Sequence, residues 1–218
     1  MIDRPKLIKS VFRGGIFMDL FLTVLVSSAV QIIVIGIIPF IWWFAAARKE
    51  ETFFSWIGLK KFKEIKKVGI KTIIASVLFL LLSLYLLFVT KDMETATSQF
   101  SGLGVPGLAG AIVYSFIQTS FTEELFFRGF LLKRIGHKFG FYAGNIIQSI
   151  LFALLHCVMF IALAKVSHVV LITLFTGIIA FVMGWINEKE AEGSILPSWC
   201  IHGVSNLVSS IFSLFSVF

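Results

Sequence analysis

The sequence predicts an all-α protein, a polytopic transmembrane helix bundle of about six spans. Three observations predict it. Hydrophobic residues make up 58% of the chain and charged residues only 14%, where soluble domains carry about 25% charged residues. Mean hydropathy is +0.96. Apolar runs of about 20 residues, the length that crosses a hydrocarbon core, recur along the 218 residues between short polar or Gly/Pro-containing stretches. That length leaves room for six or seven spans and no separate soluble domain. There is no internal repeat, no low-complexity segment and no cleavable signal-peptide pattern. The net charge of +7 does not point to nucleic acid. Much of the Lys and Arg lies in juxtamembrane stretches, where it sets topology and meets anionic lipid. Cys157 and Cys200 both fall inside expected spans and read as small membrane residues rather than a disulfide framework.

The elements follow in order. Residues Met1 to Gly15 form a polar, basic tail lying on the membrane. Ile16 to Phe44 is one apolar run ending at Trp42 and Trp43, longer than a perpendicular span needs. It is expected to tilt, or to bend at Gly36 or Pro39. Arg48 to Lys67 is a strongly basic loop, in which Leu59, Phe62, Ile65 and Val68 recur every third residue. That spacing predicts a short interfacial amphipathic helix, with anionic lipid as the partner of the loop. Val68 to Val89 is the second span and Lys91 to Gly104 a polar loop. Pro106 and Gly107 open a third span that exits at Lys133, Arg134 and Lys138. A turn at Phe139 to Gly144 precedes the fourth span, Asn145 to Ile161, and Lys165 to His168 is a connection. The fifth span is Val169 to Ile186, Asn187 to Gly193 an acidic turn, and the last span begins at Ile195 and Pro197 and runs to Phe218.

Counting Lys and Arg in short loops places the basic 48–67 loop in the cytoplasm, and the chain is expected to be a multi-pass protein of the cell membrane. The third span then runs from outside to inside, with Glu123 roughly 15 Å before its cytoplasmic end. One feature disagrees: a single crossing by the first run leaves the basic tail outside. The chain divides into residues 1–105, holding the tail, two spans and the basic loop, and residues 106–218, which carry the glutamates, arginine and histidines of interest at membrane depth.

Those groups lie on three spans. The third carries FTEELFFRGF, residues 121–130. Ionisable groups at that depth cost about 2.5–3.5 kcal/mol each on insertion scales, so they pair or serve a purpose. Glu124 and Arg128 are four apart and share a helix face, which predicts an ion pair. Glu123 points about 100° away and is left to face something else, as suits a general base. The fourth span carries His156, one turn beyond Phe152. The last carries His202 and Asn206, four apart on one face. A single membrane histidine is most often a helix–helix hydrogen bonder. Two on separate helices, with a spare carboxylate on a third, suit hydrolysis. A carboxylate and an imidazole polarise one water for attack on a peptide carbonyl, while a second imidazole and an amide stabilise the oxyanion. The same residue types suit zinc or another divalent metal, with Glu123, His156 and His202 as ligands, although HExxH is absent. No cofactor is favoured. No Gly-x-Ser-x-Gly supports a serine nucleophile.

EELFFR reads as EExxxR, FALLH as FxxxH and HGVSN as HxxxN. In that order on a multi-span chain, these motifs resemble the CPBP family of intramembrane proteases, which includes the type II CAAX prenyl endopeptidases and the Abi, or bacteriocin self-immunity, proteins. The resemblance covers about Pro106 to the C-terminus. It implies an intramembrane endopeptidase acting on a membrane-embedded or lipidated peptide or protein, glutamate-dependent or metal-dependent. Glu123 and His156 would activate water, His202 and Asn206 would form the oxyanion site, and Glu124 and Arg128 would support the geometry. Two other readings compete: a non-catalytic immunity or scaffold protein, and a proton-coupled transporter relaying through Glu123, His156 and His202.

Overall fold

The computed structural model describes residues 4–91 and 95–217. The first residues of the expected tail and residues 92–94 of the polar loop lie outside them. The described chain folds into helices with no strand among the described residues. Helix α1 spans Arg4–Ala46, continuing through both Gly36 and Pro39. Helix α2 is the single turn Phe53–Trp56, and α3 spans Ile65–Thr90. Two short 3₁₀ turns, Ala96–Phe100 and Val105–Gly107, lead into one continuous run of helical turns over residues 108–139. This run, the motif helix, is built from α4 (Leu108–Val113), α5 (Thr122–Glu124) and α6 (Lys133–Phe139) joined by π-helical turns at Tyr114–Phe121 and Leu125–Leu132. Helix α7 spans Phe141–Phe160, and α8 spans Val166–Trp185 with a π turn at Ile186–Glu190. Helix α9 spans Leu196–Leu214.

Four helical stretches are long and apolar enough to cross a membrane: Phe17–Ala46, Ile65–Val89, Phe141–Phe160 and Val166–Glu190. The expectation of about six also counted the motif helix and α9. Those two carry the charged and hydroxyl side chains, and their apolar character falls accordingly. They are also the best shielded, since Glu124, Arg128, Ser115, Ser120, Ser198 and Ser210 are all buried. The outward faces of α1, α3 and α8 show Val26, Ile33, Ile41, Leu81 and Ile178 instead, a surface suited to lipid and unfavourable in water.

Several sequence expectations are corrected. The three-residue spacing from Leu59 to Val68 does not make an interfacial helix. Gly58 turns the chain with φ +85, and residues 59–64 run as an irregular strap. Ile195 donates its N–H to the Gly58 carbonyl at 2.9 Å and Ser194 Oγ donates to the Lys60 carbonyl at 2.6 Å. Leu59 and Phe62 pack on separate apolar clusters, and Val68 belongs to α3. The turn before the fourth span narrows to Gly140 (φ +89), so α7 begins at Phe141. His168 lies inside α8, and the expected acidic turn is largely the π turn that prolongs α8.

Close approach explains the α6–α7 hairpin. A Cβ on Gly144 would stand 2.6 Å from Gly136 N and 2.7 Å from the Leu132 carbonyl oxygen. Both are backbone atoms that cannot rotate away. Gly144→Ala is therefore expected to destabilise the bundle by at least the about 1–3 kcal/mol typical of overpacking. Gly36→Ala, with nothing within 4 Å of its added Cβ, should not. Thermal unfolding of the two variants in detergent checks this.

Candidate active site

The motif helix is widened on either side of the turn that carries the acidic residues. In its first π segment the hydroxyl residues bond back along the chain: Thr119 Oγ1 donates to the carbonyls of Tyr114 (3.1 Å) and Ser115 (3.2 Å), and Ser120 Oγ donates to Ser115 at 2.6 Å. Thr122 Oγ1 donates to Gln118 at 2.6 Å. Such back-bonding and π turns both relax the regular helix ladder, and π turns are frequent at functional sites. Helix α9 packs tightly along this face. Trp199 Nε1 donates to the Phe116 carbonyl at 2.7 Å, and Ser210 and Ser115 pair at 3.2 Å. Asn206 Nδ2 donates to Thr119 Oγ1 (2.9 Å) and Ser120 Oγ (3.1 Å).

Glu124 is the hub. Its Oε1 accepts from Arg128 Nη1 at 2.8 Å and from His202 Nδ1 at 3.0 Å, and both members of the acidic–basic pair are fully buried. The Arg128 guanidinium also lies 4.2 Å from the centroid of the Phe152 ring, a cation–π contact that compensates part of its desolvation. Phe152 in turn touches both histidine rings, with centroids 4.6 Å from His156 and 5.9 Å from His202. One aromatic ring thus sets the spacing of three polar groups.

Glu123 stands apart from this hub. Its side chain is 25% exposed where that of Glu124 is 0%. Its Oε2 is buried without a hydrogen-bond partner among the described residues, 3.8 Å from His202 Nε2. That separation is too long for a direct bond and invites a bridging water. Its carboxylate is also within electrostatic range of the His156 ring. His156 Nδ1 lies 3.0 Å from the Phe152 carbonyl. A carbonyl only accepts, so Nδ1 carries the proton and Nε2 presents a lone pair. His156, His202 and Asn206 line a common cavity of about 180 Å³ with Ser83, Thr176 and Ser205.

The six expected site residues therefore come together from the motif helix, α7 and α9. Two details differ from expectation. Asn206 already uses both hydrogens of Nδ2 on Thr119 and Ser120, whose own protons go to backbone carbonyls, so its amide is not a free donor in this arrangement. Among the described residues, no three His, Cys, Asp or Glu side chains converge closely enough to hold a metal ion. Glu123, His156 and His202 are not gathered into a ligand set in this arrangement. The sequence reading missed Thr119, Ser120 and Trp199, which fix α9 against the motif helix. Their signal was present as hydroxyl residues at positions 115, 119, 120 and 122 of an otherwise apolar run.

Fold and site define a class: a helical membrane protein with a buried carboxylate–guanidinium–imidazole cluster beside a cavity. Residues 105–208 match the family described as type II CAAX prenyl endopeptidase Rce1-like, in agreement with the resemblance carried by the three motifs. No match was found among curated proteins or among solved structures.

Proposed function

We propose that the protein is an intramembrane endopeptidase of the cell membrane that hydrolyses a peptide bond of a membrane-embedded or lipidated polypeptide. The carrying observation is Glu123, a carboxylate excluded from the Glu124–Arg128 pair, with an unpartnered buried oxygen beside two histidines. The family match over residues 105–208 supports the same reaction class.

In this mechanism a water molecule enters between Glu123 and the histidines. Glu123 takes one of its protons while His156 Nε2 accepts a hydrogen bond from the other, and the water oxygen attacks the scissile carbonyl carbon. The carbonyl π pair moves to oxygen. His202 stabilises that oxyanion through Nε2–H, which it bears only as the imidazolium, because Nδ1–H already serves Glu124. Two carboxylates, one guanidinium and one imidazolium sum to zero charge, the arrangement burial favours. Asn206 joins the oxyanion site by releasing Thr119 or Ser120. The tetrahedral intermediate then expels the amine, which receives the proton held by Glu123, and a carboxylic acid and an amine leave.

Purified protein in detergent or liposomes is expected to cleave members of a library of hydrophobic and lipidated peptides, read by mass spectrometry. A strong chelator should leave the rate unchanged. Chelator-sensitive cleavage restored by zinc would replace the glutamate–histidine mechanism with a metal one. Folded protein that cleaves nothing would favour the immunity or scaffold reading.

A further inference from the structure

We propose that a second cavity, between the strap and the C-terminal end of the motif helix, binds the phosphodiester headgroup of an anionic phospholipid. The site is separate from the glutamate–histidine cluster, and the proposal does not rest on the protease reading.

This cavity has a volume of about 360 Å³ and is lined by Lys60 of the strap, Lys133 and Arg134 of α6, Glu188 of the π turn after α8, and Glu51 and Trp56. The volume falls within the about 300–1,000 Å³ of small-molecule sites. Three segments far apart in the chain meet around it, and their charges are not all spent on one another. Lys133 Nζ donates to Glu188 Oε1 at 2.6 Å and to the Gly193 carbonyl at 2.7 Å, so that pair is closed. Arg134 differs. Glu51 and Glu188 act on it only through space, and its Nε is buried without a hydrogen-bond partner among the described residues. Its guanidinium lies 4.0 Å from the centroid of the Trp56 ring, and Trp56 is itself buried.

A guanidinium stacked on an aromatic face is fixed in direction while its edge nitrogens stay open to an oxyanion. Its planar fork matches two oxygens of one phosphate. Lys60 adds a second cation at the cavity wall. With Lys133 and Glu188 paired, Arg134 and Lys60 face Glu51 alone, an excess of one positive charge. That excess complements a phosphodiester monoanion and is too small for the dianion of a phosphate monoester.

The level of the cavity in the membrane points to lipid as the source of the phosphodiester. The span Phe17–Ala46 ends shortly before Glu51, the span Phe141–Phe160 begins at a residue of the cavity wall, and Val166–Glu190 ends just after Glu188. Span ends lie where hydrocarbon gives way to headgroups. Phe54, Phe139 and Tyr142 stand exposed at the same level, by 63%, 64% and 66%, as aromatic rings do in the interfacial belts of membrane proteins. Basic pockets between membrane helices hold anionic headgroups at this depth. The interfacial helix expected over residues 59–68 does not form; the strap carries Lys60 to the cavity instead. A headgroup held there bridges the strap, the motif helix and the end of α8.

Thermal unfolding of the purified full chain in neutral detergent, with and without phosphatidylglycerol, tests this, and native mass spectrometry of the same samples measures bound lipid. Phosphatidylglycerol should raise the wild-type midpoint by about 5 °C near saturation, and phosphatidylcholine of the same chains should not. Arg134→Gln and Lys60→Gln should each weaken phosphatidylglycerol binding by about tenfold, the loss of one charge-assisted hydrogen bond. Lys63→Gln, an equal charge change on the strap outside the cavity wall, should bind as the wild type does. Lys60 is exposed, so Lys60→Gln carries the test if Arg134→Gln fails to fold. Wild-type binding by Lys60→Gln, or equal weakening by Lys63→Gln, overturns the site. Equal stabilisation by the two lipids overturns it as well. Glycerophosphoglycerol, the same phosphodiester without acyl chains, should leave the midpoint unchanged at the concentration where the lipid acts. If it stabilises as strongly as the lipid, the assignment to a membrane lipid is overturned in favour of a soluble phosphodiester.

Discussion

Glu123→Gln is expected to lower peptide cleavage by about 10²–10⁴-fold, the range that a positioned general base contributes, with little change in folding. The substitution keeps shape and removes only the basic oxygen. Glu123 Oε2 has no hydrogen-bond partner among the described residues, and its nearest charged neighbour is His202 Nε2 at 3.8 Å. No direct hydrogen bond is therefore lost, and the cost to folding is limited to the one positive charge left uncompensated beside a side chain that is 25% exposed. The loss should fall on kcat rather than KM, since the carboxylate acts on water and not on bound peptide. Single-turnover cleavage of the best library peptide, beside an unfolding curve in the same detergent, measures both halves. A variant that retains most of its turnover would remove Glu123 as base. A variant that loses activity only because it unfolds would show that the carboxylate is structural.

The sequence made the architecture legible because the apolar runs are long and their charged boundaries abrupt, and the motif residues could be assigned to helix faces by counting. The Glu124–Arg128 ion pair followed from four-residue spacing and is present at 2.8 Å. What counting missed depended on tertiary contacts. The 59–68 periodicity imitated a helix, but those side chains meet different neighbours along a strap fastened to the 193–195 turn. The first π segment of the motif helix coincides with the bonds of Thr119 and Ser120 to backbone carbonyls, and spacing that assumes a regular helix does not register it. Asn206 looked like a free amide on the same face as His202. Only the packing of α9 on the motif helix showed that its donors are taken. The role of Phe152, holding Arg128 and both imidazoles around one ring, needed coordinates as well.

Glu124→Leu should destabilise the bundle by about 3–5 kcal/mol, the cost of breaking a buried ion pair by removing one partner. Arg128 has no exposed surface, and its Nε and Nη2 already lack hydrogen-bond partners among the described residues. Without Glu124 its charge would rest on the Phe152 face and on Glu123, which would have to leave its place beside His202 to reach it. Arg128→Met should be costly for the mirror reason, leaving two adjacent carboxylates with only His202 between them. The Glu124→Leu/Arg128→Met double variant removes both charges at similar volume and should recover most of the stability, because apolar replacements of buried pairs are often neutral. Activity should not recover with it. His202 Nδ1 loses the carboxylate that orients it at 3.0 Å, and the imidazolium that would meet the oxyanion loses its counter-charge. Denaturation in detergent and turnover, measured on the same three preparations, separate these two roles. Single variants as stable as the wild type would mean that the pair is solvated rather than buried. A double variant that regains both stability and turnover would show that Glu124 and Arg128 hold the helices together and nothing more, and would shift the orientation of His202 to its contact with Phe152.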